Sequence, residues 1–237
     1  MKTIFIGDIH GRNIWKDIIK KENPSRVVFV GDYFDSFDIP GIDQIHNFRE
    51  ICNLKLESSR EVILLVGNHD LHYMHIGESY TGFQPGLQFD ISSILSENKD
   101  LLQMVYTIDD LLVSHAGVSS VWMDRTFGDE WNIRNLVDLI NQTFLYRPRN
   151  FKFSGYDPHG DSPTQSPVWI RPKSLLVANR GTEIKSTFRQ VFGHTRMTRR
   201  QISSLENWAG RRYFPVDLLE LRMYLAYSGG QLSYSGL

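Results

Sequence analysis

Short apolar runs that stop at a glycine, with helical stretches between them, constrain this chain more than any other feature. Thr3–Ile6 ends at Gly7-Asp8, Arg26–Val30 ends at Gly31-Asp32, and Glu61–Val66 ends at Gly67-Asn68-His69-Asp70. Between the first two runs, residues 12–22 place Ile14, Ile18 and Ile19 at helical spacing, and Asn23-Pro24-Ser25 breaks the helix. A second helical stretch lies around Ile42–Leu56. Strand, helix, strand, helix, strand, with strands this short and β-branched, predicts parallel βαβ units buried on both faces.

The second half is less regular. Leu111–Ser114 predicts a strand ending at His115-Ala116-Gly117, and Arg189–Phe192 another ending at Gly193-His194. Residues 146–172 carry five prolines together with Gly155 and Gly160, which predicts a loop rather than core, one that lines a site or stays disordered. Tyr213–Tyr234 alternates and pauses at Gly229-Gly230, as a closing β-hairpin would. Without a repeat, a low-complexity tract or a composition break, the expectation is a single domain over residues 1–237.

Composition narrows the class. Apolar residues at 41% supply a core and exclude a disordered chain. A formal charge of −1 argues against bulk nucleic-acid binding, although residues 171–212 hold ten Lys and Arg against two acids. That local excess is either an electropositive rim for phosphorylated substrates or a solvated face balanced by the acidic N-terminal half. No apolar run is long enough to span a membrane, and MKTIFIGD meets an aspartate too early for a secretory segment. The single cysteine, Cys52, cannot form an internal disulfide, so a cytoplasmic protein is expected. Its bland reading is a small buried apolar residue. Oligomeric state is not legible.

The chemistry gathers at the strand ends. Asp8 and His10, Asp32, Asn68 and His69, His115, and His194 each follow a predicted strand at once. Loops at the carboxyl ends of parallel strands are where open α/β sheets collect ligands, and each glycine or small residue lets the chain turn over the strand end. Asp8 and His10 are two apart, hence on one side of extended chain. Carboxylate, imidazole and amide oxygen without thiolate suit Mn²⁺, Fe²⁺, Zn²⁺ or Mg²⁺.

Gly7-Asp8-Ile9-His10-Gly11, Gly31-Asp32-Tyr33-Phe34-Asp35, Gly67-Asn68-His69-Asp70, Ser114-His115-Ala116-Gly117 and Gly193-His194-Thr195 resemble, in order, the motifs of the calcineurin-like metallophosphoesterases. The resemblance implies a four-layer α/β/β/α sandwich, two packed mixed sheets flanked by helices, with two divalent metals at the sheet edge. It implies that Asp8, His10 and Asp32 hold the first metal, and that Asp32 bridges to a second completed by Asn68, His115 and His194. Water between two such cations loses a proton near neutral pH and can attack phosphorus in line. By the same resemblance His69 faces the leaving-group oxygen and Asp35 orients it. A carboxylate on the imidazole keeps the ring protonated to higher pH, as a general acid requires. His72 and His75 continue a spacing of three from His69 but lie outside the motif; they are expected in supporting or surface positions, and His46 and His159 in solvent.

The last motif ends Gly193-His194-Thr195-Arg196, where nuclease and phosphodiesterase branches carry a second histidine. This resembles the phosphoprotein-phosphatase branch in its bacterial and phage forms, as does Val168-Trp169-Ile170-Arg171, whose arginine there contacts phosphate; a surface ion pair is the bland reading of Arg171. Two departures stand out. Ser36 occupies the place of that branch's phosphate-clamping arginine, and Asp70 that of a glutamate. Arg12 or Arg196 could supply the missing charge, with Asn68 also near the phosphate. The expected function is therefore a two-metal phosphomonoesterase, Mn²⁺ foremost among the metals, acting on a phosphorylated protein or small molecule. The alternative is a hydrolase of dinucleoside polyphosphates or another nucleotide. An inactive metal-bound scaffold is a third reading, and the intact ligand motifs argue against it.

Overall fold

The computed structural model describes residues 1–74, 78–154 and 161–237; the side chains of residues 206–209 lie outside that description. Ten strands are described: β1 (Lys2–Ile6), β2 (Arg26–Phe29), β3 (Glu61–Leu65), β4 (Leu102–Gln103), β5 (Val105–Ile108), β6 (Leu111–Ser114), β7 (Arg189–Phe192), β8 (Tyr213–Pro215), β9 (Met223–Ser228) and β10 (Gln231–Gly236). They form two mixed sheets, each within its own compact unit: residues 1–103 with 216–237, and residues 104–215.

In the first unit the strand order is β10-β9-β1-β2-β3-β4. Strands β1 to β4 run parallel, and β9 and β10 close the sheet as an antiparallel hairpin with β9 against β1. Helices α1 (Trp15–Glu22), α2 (Gly41–Glu57), α3 (Asn68–Leu71) and α4 (Gln88–Glu97) connect the parallel strands. Ile4–Ile6, Val27–Val30 and Val62–Leu65 are buried almost throughout, as expected of parallel strands covered on both faces. The predicted hairpin is therefore present at Gly229-Gly230, whereas Tyr213–Pro215, assigned to the same tail, joins the other sheet.

In the second unit the order is β5-β6-β7-β8, with β6, β7 and β8 parallel and β5 antiparallel at one edge. Its helices are α5 (Ser120–Phe127), α6 (Leu136–Tyr146), α7 (Pro172–Ala178), α8 (Glu183–Thr187) and α9 (Arg199–Ala209). The expectation that 146–172 contributes no core is corrected here. Phe151, Gln165, Val168 and Ile170 are fully buried, and Ile170 joins a core with Ala116, Leu175, Phe192, Leu205 and Tyr213. The prolines bend the chain without excluding it. Backbone bonds from Trp169 and Ile170 to the Ser166 carbonyl turn the segment, and the Ala116 N–H donates to the Pro167 carbonyl at 2.6 Å. Residues 155–160, with Pro158 and His159, lie outside the described residues, as does His75. Among the described residues no helix is long and apolar enough to cross a membrane.

Candidate metal centre and acid dyad

The loop after β1 and the loop after β2 are zipped together beyond the strands themselves. The N–H groups of Ile9, His10 and Gly11 donate to the carbonyls of Gly31, Asp32 and Tyr33, at 3.4, 2.7 and 3.0 Å. His10 and Asp32 both adopt positive φ, 42° and 53°, so the expected extended path from Asp8 to His10 is instead a tight turn. The turn still brings the three side chains together: one donor atom from each of Asp8, His10 and Asp32 lies within 4.8 Å of the others.

The donor set fits a divalent cation. His10 Nδ1 sits 2.6 Å from the Phe34 carbonyl, an acceptor, so that nitrogen carries the proton and Nε2 keeps its lone pair. Nε2 lies 3.9 Å from Asp32 Oδ2, a separation that two ligands of one ion can take. Burial lowers the His10 pKa, more than the Asp32 carboxylate raises it, and so favours the neutral imidazole that binds metal.

Close approach of backbone makes this arrangement possible. A Cβ on Gly31 would meet the Gly67 nitrogen at 2.4 Å, and Gly31 has φ 108°. Asp70, fully buried on α3, ties the two loops together: Oδ2 accepts from the N–H of Asp32 and of Gly67, both at 2.8 Å, and Oδ1 accepts from the Tyr33 N–H at 2.7 Å. Asp32 Oδ1 in turn accepts from the His69 N–H at 2.9 Å. Asn68 is buried at the first turn of α3.

His69 and Asp35 meet as expected, Nδ1 lying 2.8 Å from Oδ2. Burial opposes ionisation of Asp35, yet contacts from His69, His72 and Tyr73 outweigh it and hold its pKa at about 2. Burial likewise opposes a charged His69, and the carboxylates of Asp32 and Asp35 outweigh it, raising its pKa. Two further side chains reach Asp35, of which Tyr73 was not anticipated and His72 takes the supporting one of its two expected positions. Tyr73 donates its hydroxyl to Asp35 Oδ1 at 2.5 Å, and His72 Nε2 lies 2.7 Å from Oδ2, off the direction of a linear hydrogen bond. His72 is thus buried against the dyad and not at the surface. Its spacing of three from His69, one helical turn, was the available signal. His46 is exposed on α2.

In the second unit, His115 at the end of β6 and His194 at the end of β7 bring their ring centroids within 5.2 Å. The Gly193 N–H donates to the His115 carbonyl at 2.7 Å, and His194 has φ 61°. Arg171 donates to the His194 carbonyl and to Thr195 Oγ1, at 3.1 and 3.2 Å. Arg12 pairs with Glu220 at 2.8 Å, and Arg196 is exposed. At Ser36 the hydroxyl accepts from the N–H of Asp38 and Ile39, so this position builds a local turn.

A family model described as calcineurin-like phosphoesterase matches residues 1–217, across both units. Among solved structures, a cold-active protein-tyrosine phosphatase of the psychrophile Shewanella sp. is 19% identical with a TM-score of 0.57, covering 98% of this chain and 77% of its own. A variant cold-active protein tyrosine phosphatase reaches 0.60 at 18% identity, again covering 98% of this chain and 77% of its own. A metallophosphoesterase from Sphaerobacter thermophilus reaches 0.50 at 11% identity, covering 100% of this chain and 88% of its own. These likenesses show the fold, an α/β metallophosphoesterase fold with two mixed sheets. No curated protein matches the chain.

Proposed function

The chain belongs to the calcineurin-like phosphoesterase family and is a metal-dependent phosphoesterase, and on that premise we propose that it is a two-metal phosphomonoesterase of the phosphoprotein-phosphatase type. The observation that carries this reading is the convergence of Asp8, His10 and Asp32 in the first unit, beside a His69–Asp35 dyad in the same unit. By the family motifs, Asp8, His10 and Asp32 would hold one cation, and Asp32, Asn68, His115 and His194 would hold a second. The residues form a single catalytic domain over 1–237, supported by a family match that runs through both units. When bound, the cations, Mn²⁺ before Fe, Zn or Mg, supply Lewis acidity, neutralising phosphoryl oxygens and making water a better nucleophile.

His69 donates a proton from Nε2 to the leaving-group oxygen, with Nδ1–H held by Asp35 so that Nε2 faces the substrate. Arg171, Arg12, Arg196 and Asn68 contact the phosphate. Arg171 is half-buried and already oriented by His194 and Thr195, which favours it among the three arginines. A phosphoprotein substrate is supported by the cold-active protein tyrosine phosphatase structures that share the fold. A cytoplasmic setting agrees with the buried single thiol. The turn at Ser36, where the branch carries its phosphate clamp, favours keeping a second reading, hydrolysis of dinucleoside polyphosphates.

Elemental analysis of wild type and Asp32→Asn, with turnover of p-nitrophenyl phosphate, a phosphopeptide and diadenosine tetraphosphate, tests this. Two ions in wild type, at most one in the variant, and preference for the phosphopeptide are expected. Retention of two ions by Asp32→Asn would reject the bridging assignment, and preference for the dinucleotide would move the chain to the second reading.

A further inference from the structure

Asp35 is held from more sides than an orienting carboxylate needs. It sits at φ 66° with its side chain fully buried. Beyond His69, Oδ1 accepts from the Tyr73 hydroxyl, whose oxygen accepts from the Gln84 N–H at 2.8 Å. Tyr73 is fully buried and stacks on Phe83 with centroids 4.8 Å apart. His72 Nδ1 accepts from the Tyr80 N–H at 3.3 Å, which leaves the proton on Nε2, the nitrogen facing Asp35. Gly82, at φ 94°, closes over the carboxylate so tightly that a Cβ there would meet Asp35 Cβ at 3.1 Å.

Resting on the reading of His69 as proton donor to the leaving group, we propose that Tyr73 and His72, backed by residues 80–84, are positioning residues that fix Asp35 and thereby aim His69. The Tyr73 hydroxyl bond to Oδ1 and the close approach of His72 Nε2 to Oδ2 leave a dry carboxylate one orientation, and the Nδ1–H bond then sets the His69 ring plane. As the bond from phosphorus to the leaving oxygen breaks and water oxygen joins phosphorus, the Nε2 proton of His69 passes to that oxygen. A ring swinging by a few tens of degrees would miss it. The sensitivity is selective: a serine alkoxide needs the proton, whereas p-nitrophenolate leaves without one.

The test is Tyr73→Phe, with His72→Gln as the second variant and His69→Asn as reference, each assayed on a phosphoserine peptide and on p-nitrophenyl phosphate. We expect kcat on the peptide to fall at least about tenfold further than kcat on p-nitrophenyl phosphate, with KM for both changed less than about threefold. The downfield Nδ1 proton resonance of His69 is expected to shift or broaden in the same variants. Equal losses on both substrates, or an unmoved resonance, would overturn the proposal. If His69→Asn itself shows no leaving-group dependence, the reading of His69 fails first. If it does and Tyr73→Phe does not, only the positioning role fails. Failure of both Tyr73→Phe and His72→Gln to fold would assign the cage to stability and likewise overturn it.

Discussion

Asp70 lies beneath Asp32 and grips the backbone that carries it, accepting the Asp32 N–H at 2.8 Å while also accepting from Gly67 and Tyr33. Asp32 is a non-glycine residue at φ 53°, a conformation the surroundings must enforce. Three N–H groups converging on one buried carboxylate do so.

Asp70→Asn replaces one acceptor oxygen with an amide N–H₂ that faces a backbone N–H, leaving a buried donor unpaired. The expected loss is about 3 kcal/mol of stability, with weaker retention of metal because Asp32 is released from its turn. Urea unfolding and elemental analysis of the variant check both effects.

Gly67→Ala acts on the same junction from the opposite side. The added Cβ would fall 2.0 Å from Asp32 Oδ1 and 2.5 Å from Asp32 N, with no flexible neighbour to move away. The expected outcome is a loss of about 3 kcal/mol and of bound metal together, read by calorimetry and elemental analysis.

Acid should weaken the fold through Asp35. Its pKa is about 2 in the folded chain against an ordinary 3.8, so the unfolded chain binds the proton first as pH falls. The contribution is therefore complete above the unfolded value and fades as pH drops through the folded one, worth about 2 kcal/mol. Urea midpoints in EDTA between about pH 5 and pH 3 are expected to fall more steeply for wild type than for Asp35→Asn. Parallel slopes would contradict the assignment.

Cys52 is expected to be inert in the native protein. It is buried on α2, and burial pushes its thiol pKa up to about 12, leaving almost no thiolate at neutral pH. A colourimetric disulfide reagent should label no thiol in buffer and one per chain in denaturant.

The strand-end motifs made much of the site legible. Each glycine marks a place where a parallel strand must turn, and the side chain that follows is placed there by topology rather than by distant packing. Gly31 and Gly67 illustrate this, since their backbones touch where β2 and β3 end. Legibility failed where tertiary contacts decide. The prolines around Val168-Trp169-Ile170 read as loop, yet three apolar residues between bends were enough to enter the second core. The two-residue β4 is too short to show a period. Tyr73 and His72 gave only local spacing. What turns them onto Asp35 is the segment from Tyr80 to Gln84, whose backbone N–H groups bind both side chains, and no periodicity encodes that.

The pairing of β1 with both β2 and β9 has a consequence for biosynthesis. The strand that delivers Asp8 is synthesised more than two hundred codons before residues 223–228, so one of its edges stays unfilled until they emerge. Throughout that interval a nascent chain presents an open, apolar strand edge to the cell, the kind of surface that invites unwanted pairing with other chains.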